Sequence, residues 1–213
     1  MSAKASDPEL RIRARNEALI SDAATRLFAR KGFEGTRISE IAEAAGLPKA
    51  NVYYYFGSKA EIYRSILRRL LTNWTVALDH LSEERDPFEA LEAYVRAKLE
   101  HSRRFPDETR VFATEILAGG PYLTPEDREL MRVGMLRPVE VLEAWIARGL
   151  IRPVHPRHLM ITLWSAAQYY ADFEIMAAHT LEVKKLKRAD YDTAADTIVQ
   201  TTLRGLRPDP VPA

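Results

Sequence analysis

The sequence predicts an all-α protein of about nine helices, and three observations support this fold class. Strand-like alternation is nearly absent from the 213 residues, apolar residues recur three and four positions apart, and helix-capping residues appear throughout. Hydrophobic residues make up 46% of the chain, which is enough to bury a core. Composition and periodicity together indicate a helical globular protein.

The first two helices are marked by apolar rows and by clear stop signals. Two adjacent rows of apolar residues run through 19–28, and Gly32 ends this helix. Thr36 is predicted to be the N-cap of a short helix with the sequence RISEIAEAA. Gly46 ends the second helix and provides a tight turn.

The remaining helices follow from caps and prolines. Residues 49–56 form a third short helix, and Ser58 and Glu61 have the spacing of a capping box that starts a long fourth helix. Pro138 is predicted to kink the helix that contains it. Further helices are predicted at approximately 87–105, 107–118, 124–148, 156–180 and 190–206.

Charge and cysteine content restrict the classes of function. The chain has no cysteine, so disulfides and thiolate metal sites are excluded, and we expect a cytoplasmic protein. Neither a signal-peptide core nor an uninterrupted apolar run of membrane length is present, so we expect no membrane partner. Residues 1–70 contain 13 Lys and Arg against 8 Asp and Glu, while the remaining residues are acidic overall. This imbalance indicates an anionic partner for the front of the chain.

The stretch GLPKANVYYYFGSK contains four aromatic residues. A helical projection divides the residues of this stretch between two faces. Val52 and Phe56 lie four apart and share one face, whereas Ala50, Asn51 and Tyr54 lie on the other. Two short helices joined by a glycine turn, the second with one apolar stripe, form the helix-turn-helix layout that places its second helix in the DNA major groove.

Residues 32–62 closely resemble the DNA-binding signature of the TetR family of transcriptional regulators. Glycine, alanine-glycine, tyrosine-x-tyrosine-phenylalanine and serine-lysine all occur at the spacing of that family. The resemblance implies a helix-turn-helix head at 1–57 and a ligand-binding and dimerisation body at 58–213. It further implies a homodimer that binds a palindromic operator, acts as a repressor, and is released when a small molecule changes the distance between the heads.

The resemblance and the helical projection together predict the DNA contacts. Lys49, Ala50, Asn51 and Tyr54 are expected at base edges, with Tyr53 packing and making a partial phosphate contact. Phosphate contacts are predicted for Thr36, Arg37, Tyr55 and Lys59, although capping alone would also explain Thr36. Arg11, Arg13 and Arg15 reach the DNA backbone or minor groove, or form a basic tail.

Segments such as RVFATEILAGGP and LWSAAQYYADF resemble the pyrimidine-utilisation (RutR-like) regulators of this family, which sense uracil or thymine. A glutamine supplies both a donor and an acceptor to a planar ligand, and aromatic rings can enclose its faces. The alternative is that these polar residues are satisfied inside the helical core. The predicted ligand-binding residues are Trp74, Lys98, Ser102, Glu115, Trp164, Gln168, Tyr169, Tyr170 and Asp172.

The dimer surface implied by the family lies on the helices near 156–180 and 190–206. Apolar stripes on these helices support the assignment, although packing within one subunit would produce the same stripes. The stripe residues are Met160, Leu163, Ala167, Ala194, Ile198, Thr202 and Leu206.

Two other classes of function compete with a DNA-binding regulator. An enzyme would need a nucleophile motif, a glycine-rich phosphate loop or a metal cluster, and none occurs in the sequence. His155 and His158 have a spacing that permits a metal pair, but helix capping explains them without a metal. A helical module that binds another protein through its basic face is the second alternative. We expect no catalytic residues, no metal and no cofactor other than a small-molecule effector.

Overall fold

The computed structural model describes residues 8–208, and all regular secondary structure within them is helical. The predicted all-α fold class is therefore confirmed. The helices are α1 (Pro8–Lys31), α2 (Ile38–Ala45), α3 (Lys49–Phe56), α4 (Lys59–Leu78), α5 (Pro87–Arg104), α6 (Pro106–Leu117), α7 (Pro125–Gly134), α8 (Leu136–Ala147), α9 (Pro156–Asp172), α10 (Glu174–Thr180) and α11 (Arg188–Leu203), followed by a 3-10 turn at Arg204–Leu206.

Two of the predicted helices are each divided into two in the structure. This division accounts for the eleven α-helices of the described residues, against about nine predicted. The helix predicted at 124–148 is interrupted at Met135, and α8 restarts at Leu136, so that Pro138 lies in its first turn. A proline has no N–H and its ring collides with the carbonyl four residues earlier, so Pro138 separates α7 from α8 instead of kinking one helix. The helix predicted at 156–180 is interrupted at Phe173, where neither proline nor glycine marks the break.

The chain divides into two compact units. The head unit contains the residues up to Leu70 together with Arg110–Leu123, and the body unit contains the rest. Helices α4 and α6 each contribute to both units. This division follows contacts within the fold, and the functional boundary expected between residues 57 and 58 stays a prediction.

The head unit has an apolar core with an aromatic cluster at one end. Ile20, Ile41 and Val52, from α1, α2 and α3, are at most 1% exposed. The aromatic cluster consists of Phe28, Phe33, Tyr63 and Tyr122, whose neighbouring ring centroids lie 4.2 to 5.8 Å apart. Offset and edge-to-face contacts of this kind stabilise a core beyond simple burial.

Helices α2 and α3 form the predicted helix-turn-helix. Gly46 adopts φ +66°, a left-handed conformation that glycine enters without a steric penalty, and its N–H bonds the carbonyl of Glu43. The start of α2 differs from the prediction, because Arg37 is the N-cap and its backbone N–H donates to Glu40 at 2.9 Å. Thr36 lies inside the head, where its hydroxyl donates to the carbonyl of Gly32 at 2.8 Å.

The body unit has its own core, built mainly from α5, α8, α9 and α11. Trp145 is fully buried, and Leu91, Tyr94 and Leu163 pack in the same apolar cluster. The residues expected to face a partner subunit are mostly in this core instead: Met160, Leu163, Ala167, Ala194, Ile198 and Leu206 are all at most 7% exposed. The stripes are apolar as predicted, and packing within one subunit, the alternative that the sequence left open, accounts for their burial. A dimer through these helices stays a prediction.

Glu115 is the buried carboxylate of the head unit and is only 2% exposed. Its Oε1 accepts a hydrogen bond from the backbone N–H of Tyr122 at 2.6 Å. Burial, and then the negative charge of Glu115, raise the pKa of the Tyr63 hydroxyl above its ordinary value, and this hydroxyl donates to the carbonyl of Val111 at 3.5 Å. Glu115 therefore holds the end of α6, the segment after it and α4 around the aromatic cluster.

We expect Glu115→Ala to lower the free energy of unfolding by about 2–3 kcal/mol, because the backbone N–H of Tyr122 loses a charged acceptor inside the head. Urea titration followed by circular dichroism measures this change. Glu143→Ala is the matched control, because Glu143 is exposed on α8. The control should change the stability by no more than about 0.5 kcal/mol. Equal stabilities of the two variants would contradict this role of Glu115.

Candidate functional site

Helix α3 presents an exposed outer face formed by Lys49, Ala50, Tyr53 and Tyr54. Tyr54 is the most prominent of these side chains, with 74% of its surface exposed. On the opposite side Val52 is 1% exposed and anchors the helix, whereas Phe56 is only partly buried. Asn51 is half-buried at the border of the outer face. The outer face of α3 thus combines a cation, a small residue and two phenols that a DNA groove can meet.

Tyr55 is held in place by helix α1. The side-chain amide of Asn16 donates to the Tyr55 hydroxyl at 2.9 Å, and the guanidinium of Arg13 lies 6.0 Å from the Tyr55 ring. Because the phenol oxygen accepts from Asn16, its own proton remains available to an acceptor such as a phosphate oxygen. Asn16 was not selected from the sequence, since its partner lies 39 positions away.

Lys59 combines a structural role with its predicted phosphate contact. Its ammonium donates to the carbonyls of Phe33 at 2.7 Å and Thr36 at 3.0 Å, and it lies 4.1 Å from the centroid of the Phe33 ring. An ammonium has three donors, so one remains for a phosphate. Arg37 is exposed beside this loop, as its predicted contact requires. The buried Thr36 hydroxyl is directed into the head, which argues against a phosphate contact from that side chain.

The basic residues of α1 extend the positive surface of the head. Helix α1 contains Arg11, Arg13 and Arg15, and all three side chains are exposed. These residues are therefore helical and do not form the basic tail that was the alternative from the sequence. Arg13 forms an ion pair with Glu17 at 2.8 Å, and both side chains remain accessible to solvent. An exposed pair of this kind contributes little to stability, so Arg13 can exchange its partner for a phosphate.

The body unit contains a small cleft beside α4 and α5, with a volume of about 120 Å³. Pockets for drug-sized ligands span roughly 300–1,000 Å³, so this cleft suits a much smaller molecule. The polar groups that line the cleft include the indole of Trp74, the imidazoles of His80 and His101, and the amine of Lys98. The residues that line it are Asn73, Trp74, Val76, Ala77, His80, Ala97, Lys98 and His101.

Lys98 connects the cleft with helix α9. Its ammonium lies 4.3 Å from the centroid of the Trp74 ring, which in turn makes an edge contact with Trp164 at 6.4 Å. Gln168 donates from Nε2 to Asp172 at 2.8 Å, and the charge of Asp172 acts on Lys98. The Oε1 atom of Gln168 is buried without a hydrogen-bond partner. Of the nine predicted ligand-binding residues, Trp74 and Lys98 line the cleft. Trp164, Gln168 and Asp172 do not line it and are connected to these two through the contacts above.

Burial controls the protonation of the two basic groups in the cleft. Desolvation lowers the pKa of Lys98 to about 7, against an opposing effect from the charge of Asp172. Desolvation also lowers the pKa of His101 to about 4, with smaller effects from Lys98 and Arg104. At neutral pH His101 is therefore uncharged, while Lys98 is divided between its two forms.

Four predicted ligand-binding residues are placed elsewhere. Glu115 belongs to the head unit and binds the backbone of Tyr122. Tyr169 is 44% exposed and stacks on Phe173 at 5.2 Å, and Tyr170 packs towards Tyr191 in the body core. Ser102 is buried on α5 but does not line the cleft.

Sequence reasoning missed two histidines that line the cleft, His80 and His101. A usable signal was present, because Ala77 and His80 follow Trp74 at three-residue intervals and His101 follows Lys98 by three. Residues three apart lie on the same side of a helix, so a residue three positions from one that faces a site is expected to face the same site.

The histidine pair considered as a metal site is exposed at the start of α9. The rings of His155 and His158 lie 4.7 Å apart and meet edge to face. Within residues 8–208, no three metal-binding side chains converge on a position that could hold an ion. In the same part of the chain, no helix is both long and apolar enough to cross a bilayer.

Two family descriptions match almost the whole chain. Residues 20–66 match "Bacterial regulatory proteins, tetR family", and residues 67–209 match "YcdC-like protein, C-terminal region". The first match covers the core of the head and the second covers the body. The two matches meet inside α4, the helix that contributes to both compact units.

Curated relatives that match over most of their length are also regulators. The chain is 32% identical over 197 residues to the HTH-type transcriptional regulator RutR of Escherichia coli K12, with 92% of each chain covered. It is also 32% identical over 197 residues to the HTH-type transcriptional repressor NicS of Pseudomonas putida, covering 88% of this chain and 91% of that protein.

Solved structures agree with these relatives. The TetR family regulator PfmR from Thermus thermophilus is 27% identical, with a TM-score of 0.65 and coverage of 87% of this chain and 97% of PfmR. AibR, solved with isovaleryl coenzyme A and operator DNA, is 25% identical with a TM-score of 0.63, covering 88% and 97%. The family matches, the relatives and the helix-turn-helix all agree: the chain belongs to the TetR family of ligand-responsive transcriptional regulators and is not an enzyme.

Proposed function

We propose that this regulator is a cytoplasmic homodimeric repressor that binds a palindromic operator and is released by a pyrimidine such as uracil or thymine. The single observation that supports this effector class is a cleft of about 120 Å³ that is lined by Lys98 and Trp74, with the Trp164 ring against Trp74 and Gln168 bound to Asp172, whose charge acts on Lys98. The similarity to RutR adds support from the sequence of the whole chain.

The chemistry of this group matches one edge of a pyrimidine ring. Gln168 Oε1 is buried and needs a donor, which a ring N–H supplies. The Lys98 ammonium offers donors only, which a ring carbonyl accepts. Uracil and thymine carry an N–H directly beside carbonyl groups, and the indoles of Trp74 and Trp164 suit the ring faces.

Exposed apolar residues on α9 and α10 support the homodimer. Four large apolar side chains are between 53% and 78% exposed, namely Ile161, Phe173, Ile175 and Met176. A group of this size is unusual on the surface of a monomeric protein. These helices are the ones that the family resemblance assigns to the dimer surface. Because the buried stripes of α9 and α11 are already covered within the subunit, the partner would meet this outer surface instead.

Release by the effector follows from thermodynamic linkage. A ligand that prefers the DNA-incompetent dimer lowers the affinity for DNA by the same factor by which DNA lowers the affinity for the ligand. Both half-sites of a palindrome must be met at once, so misplacing one head weakens the whole complex. A differential affinity of a few kcal/mol is therefore sufficient for control.

We expect Tyr54→Ala to reduce the preference for the operator over a scrambled duplex by about tenfold, because one base contact contributes roughly 1–3 kcal/mol of discrimination. Gel shifts with both duplexes measure the ratio. Tyr54→Phe is the matched control and separates the ring from the hydroxyl. Since Tyr54 is 74% exposed, neither change should affect the melting temperature. An unchanged ratio for Tyr54→Ala would contradict base reading by this side chain.

We expect Tyr55→Phe and Asn16→Leu each to weaken binding of operator and scrambled duplexes by the same factor of about three to ten, because phosphate contacts carry no sequence information. Neither change removes a charge, so the salt dependence should stay constant. The double variant should lose little more than either single one, since both changes remove the same contact. Fully additive losses would show that Asn16 does not act through Tyr55.

We expect uracil and thymine to raise the melting temperature of the dimer, because saturation at 100 times Kd stabilises the native state by about 2.7 kcal/mol. Gln168→Leu should remove this response while the variant still binds operator. Cytosine is the matched ligand control, since its ring lacks the N–H between two carbonyls. Thermal shift and gel shift with added ligand provide the two measurements. No response to uracil or thymine would overturn the pyrimidine assignment.

A further inference from the structure

Lys98 is an unusual residue for a helical core, because it is only 4% exposed yet carries an amine. Its ammonium lies over the face of Trp74, 4.3 Å from the ring centroid, and the side chain lines the cleft. Lysines are almost never buried to this extent without a charged partner. An ammonium has three donors and no acceptor, so it can bind a negatively charged group that enters the cleft.

The neighbouring groups compensate the charge of Lys98 only in part. On α9, the charge of Asp172 favours the ammonium but does not offset the effect of burial, and one oxygen of Asp172 accepts a hydrogen bond from Gln168 Nε2. On α5, His101 lies one turn away, and burial keeps its pKa near 4, so it is neutral. Just after α4, His80 lines the same cleft. At neutral pH, a negative group that enters the cleft would thus meet an uncharged His101 ring and a Lys98 amine that is partly protonated, and its charge would favour the ammonium form.

We propose that the effector binds as an anion paired with the ammonium of Lys98, supplied either by a ring N–H that ionises or by an aromatic carboxylate. This inference rests on the proposed function for the location of the effector site, and it specifies the charge of the ligand there. An oxygen or nitrogen anion satisfies the buried ammonium with charge-assisted hydrogen bonds, which are roughly twice as strong as neutral ones.

A pyrimidine can meet this requirement through its acidic N–H. Ionisation of the N–H between two carbonyls spreads the negative charge over one nitrogen and two oxygens, and the proton passes to water or to the amine of Lys98. The second ring N–H of uracil or thymine is retained and can donate to Gln168 Oε1. The Trp74 face below the ammonium retains its cation–π contact in the complex. Among pyrimidines of similar size, the stronger acids should therefore bind more tightly.

The first experiment compares uracil, 5-fluorouracil and 5-nitrouracil, which increase in acidity in that order, by isothermal titration calorimetry at pH 7.5. The wild-type dimer should gain at least about tenfold in affinity from uracil to 5-nitrouracil, because more of the ligand is ionised. Lys98→Met should bind all three with equal affinity, and Lys98→Arg should restore the trend. A wild-type affinity that does not follow acidity, or a trend that persists in Lys98→Met, would overturn the inference.

The second experiment uses benzoate and benzamide, which are planar and nearly equal in shape but differ in charge. Benzoate should stabilise the wild-type dimer in a thermal-shift assay, whereas benzamide should not, and Lys98→Met should respond to neither. If pyrimidines fail to bind but benzoate binds through Lys98, the pyrimidine assignment is wrong and the anion inference stands. If uracil binds but neither benzoate nor acidity matters, the pyrimidine assignment stands and the anion inference is wrong. If no probe binds, both are wrong.

The pH dependence of benzoate binding distinguishes an ion pair with Lys98 from a purely structural role of this lysine. Benzoate remains ionised above about pH 5.5, so any change in its affinity reports on the protein. An anion raises the pKa of Lys98 from about 7 in the free cleft. Binding is therefore fully favourable below pH 7, and the affinity falls by up to about tenfold per unit as the pH rises above 7. Constant affinity between pH 6 and 9 would contradict the ion pair.

Discussion

The aromatic cluster of the head, with the carboxylate of Glu115 beside it, is the interaction on which the rest of the head depends. Phe28, Phe33, Tyr63 and Tyr122 come from α1, the loop before α2, α4 and the segment after α6. A helix-turn-helix of two eight-residue helices is too short to be stable alone. The cluster fixes the surrounding helices, and these provide the surface that keeps α3 in position with its outer face exposed.

One helix of the cluster, α4, also carries a residue of the proposed effector cleft. Helix α4 carries Tyr63 in the head unit and Trp74 in the body unit, and α6 likewise contributes to both units. A ligand that changes the position of Trp74 therefore acts on a helix that also forms part of the cluster. Coupling requires only that the ligand favours one of two arrangements of α4 over the other.

Sequence reasoning predicted what depends on local periodicity and missed what depends on the choice of partner. The apolar anchor Val52, the turn at Gly46 and the exposed Tyr54 all follow from spacing within α2 and α3. The stripes on α9 and α11 were equally clear, but periodicity does not reveal whether another helix or another subunit covers a stripe. Asn16 and Glu115 bind groups that their own sequence neighbourhoods do not indicate.

A lysine that is buried but incompletely paired is well suited to a sensor. Burial disfavours the charged amine and lowers its pKa to about 7, so the protonated form of Lys98 is an electrostatically unfavourable state. A ligand that relieves this state gains affinity only where Lys98 and Trp74 are correctly placed. Because Trp74 belongs to α4, the electrostatic gain depends on the position of the helix that also serves the head. In the proposed mechanism, ligand charge and DNA affinity are therefore linked through α4.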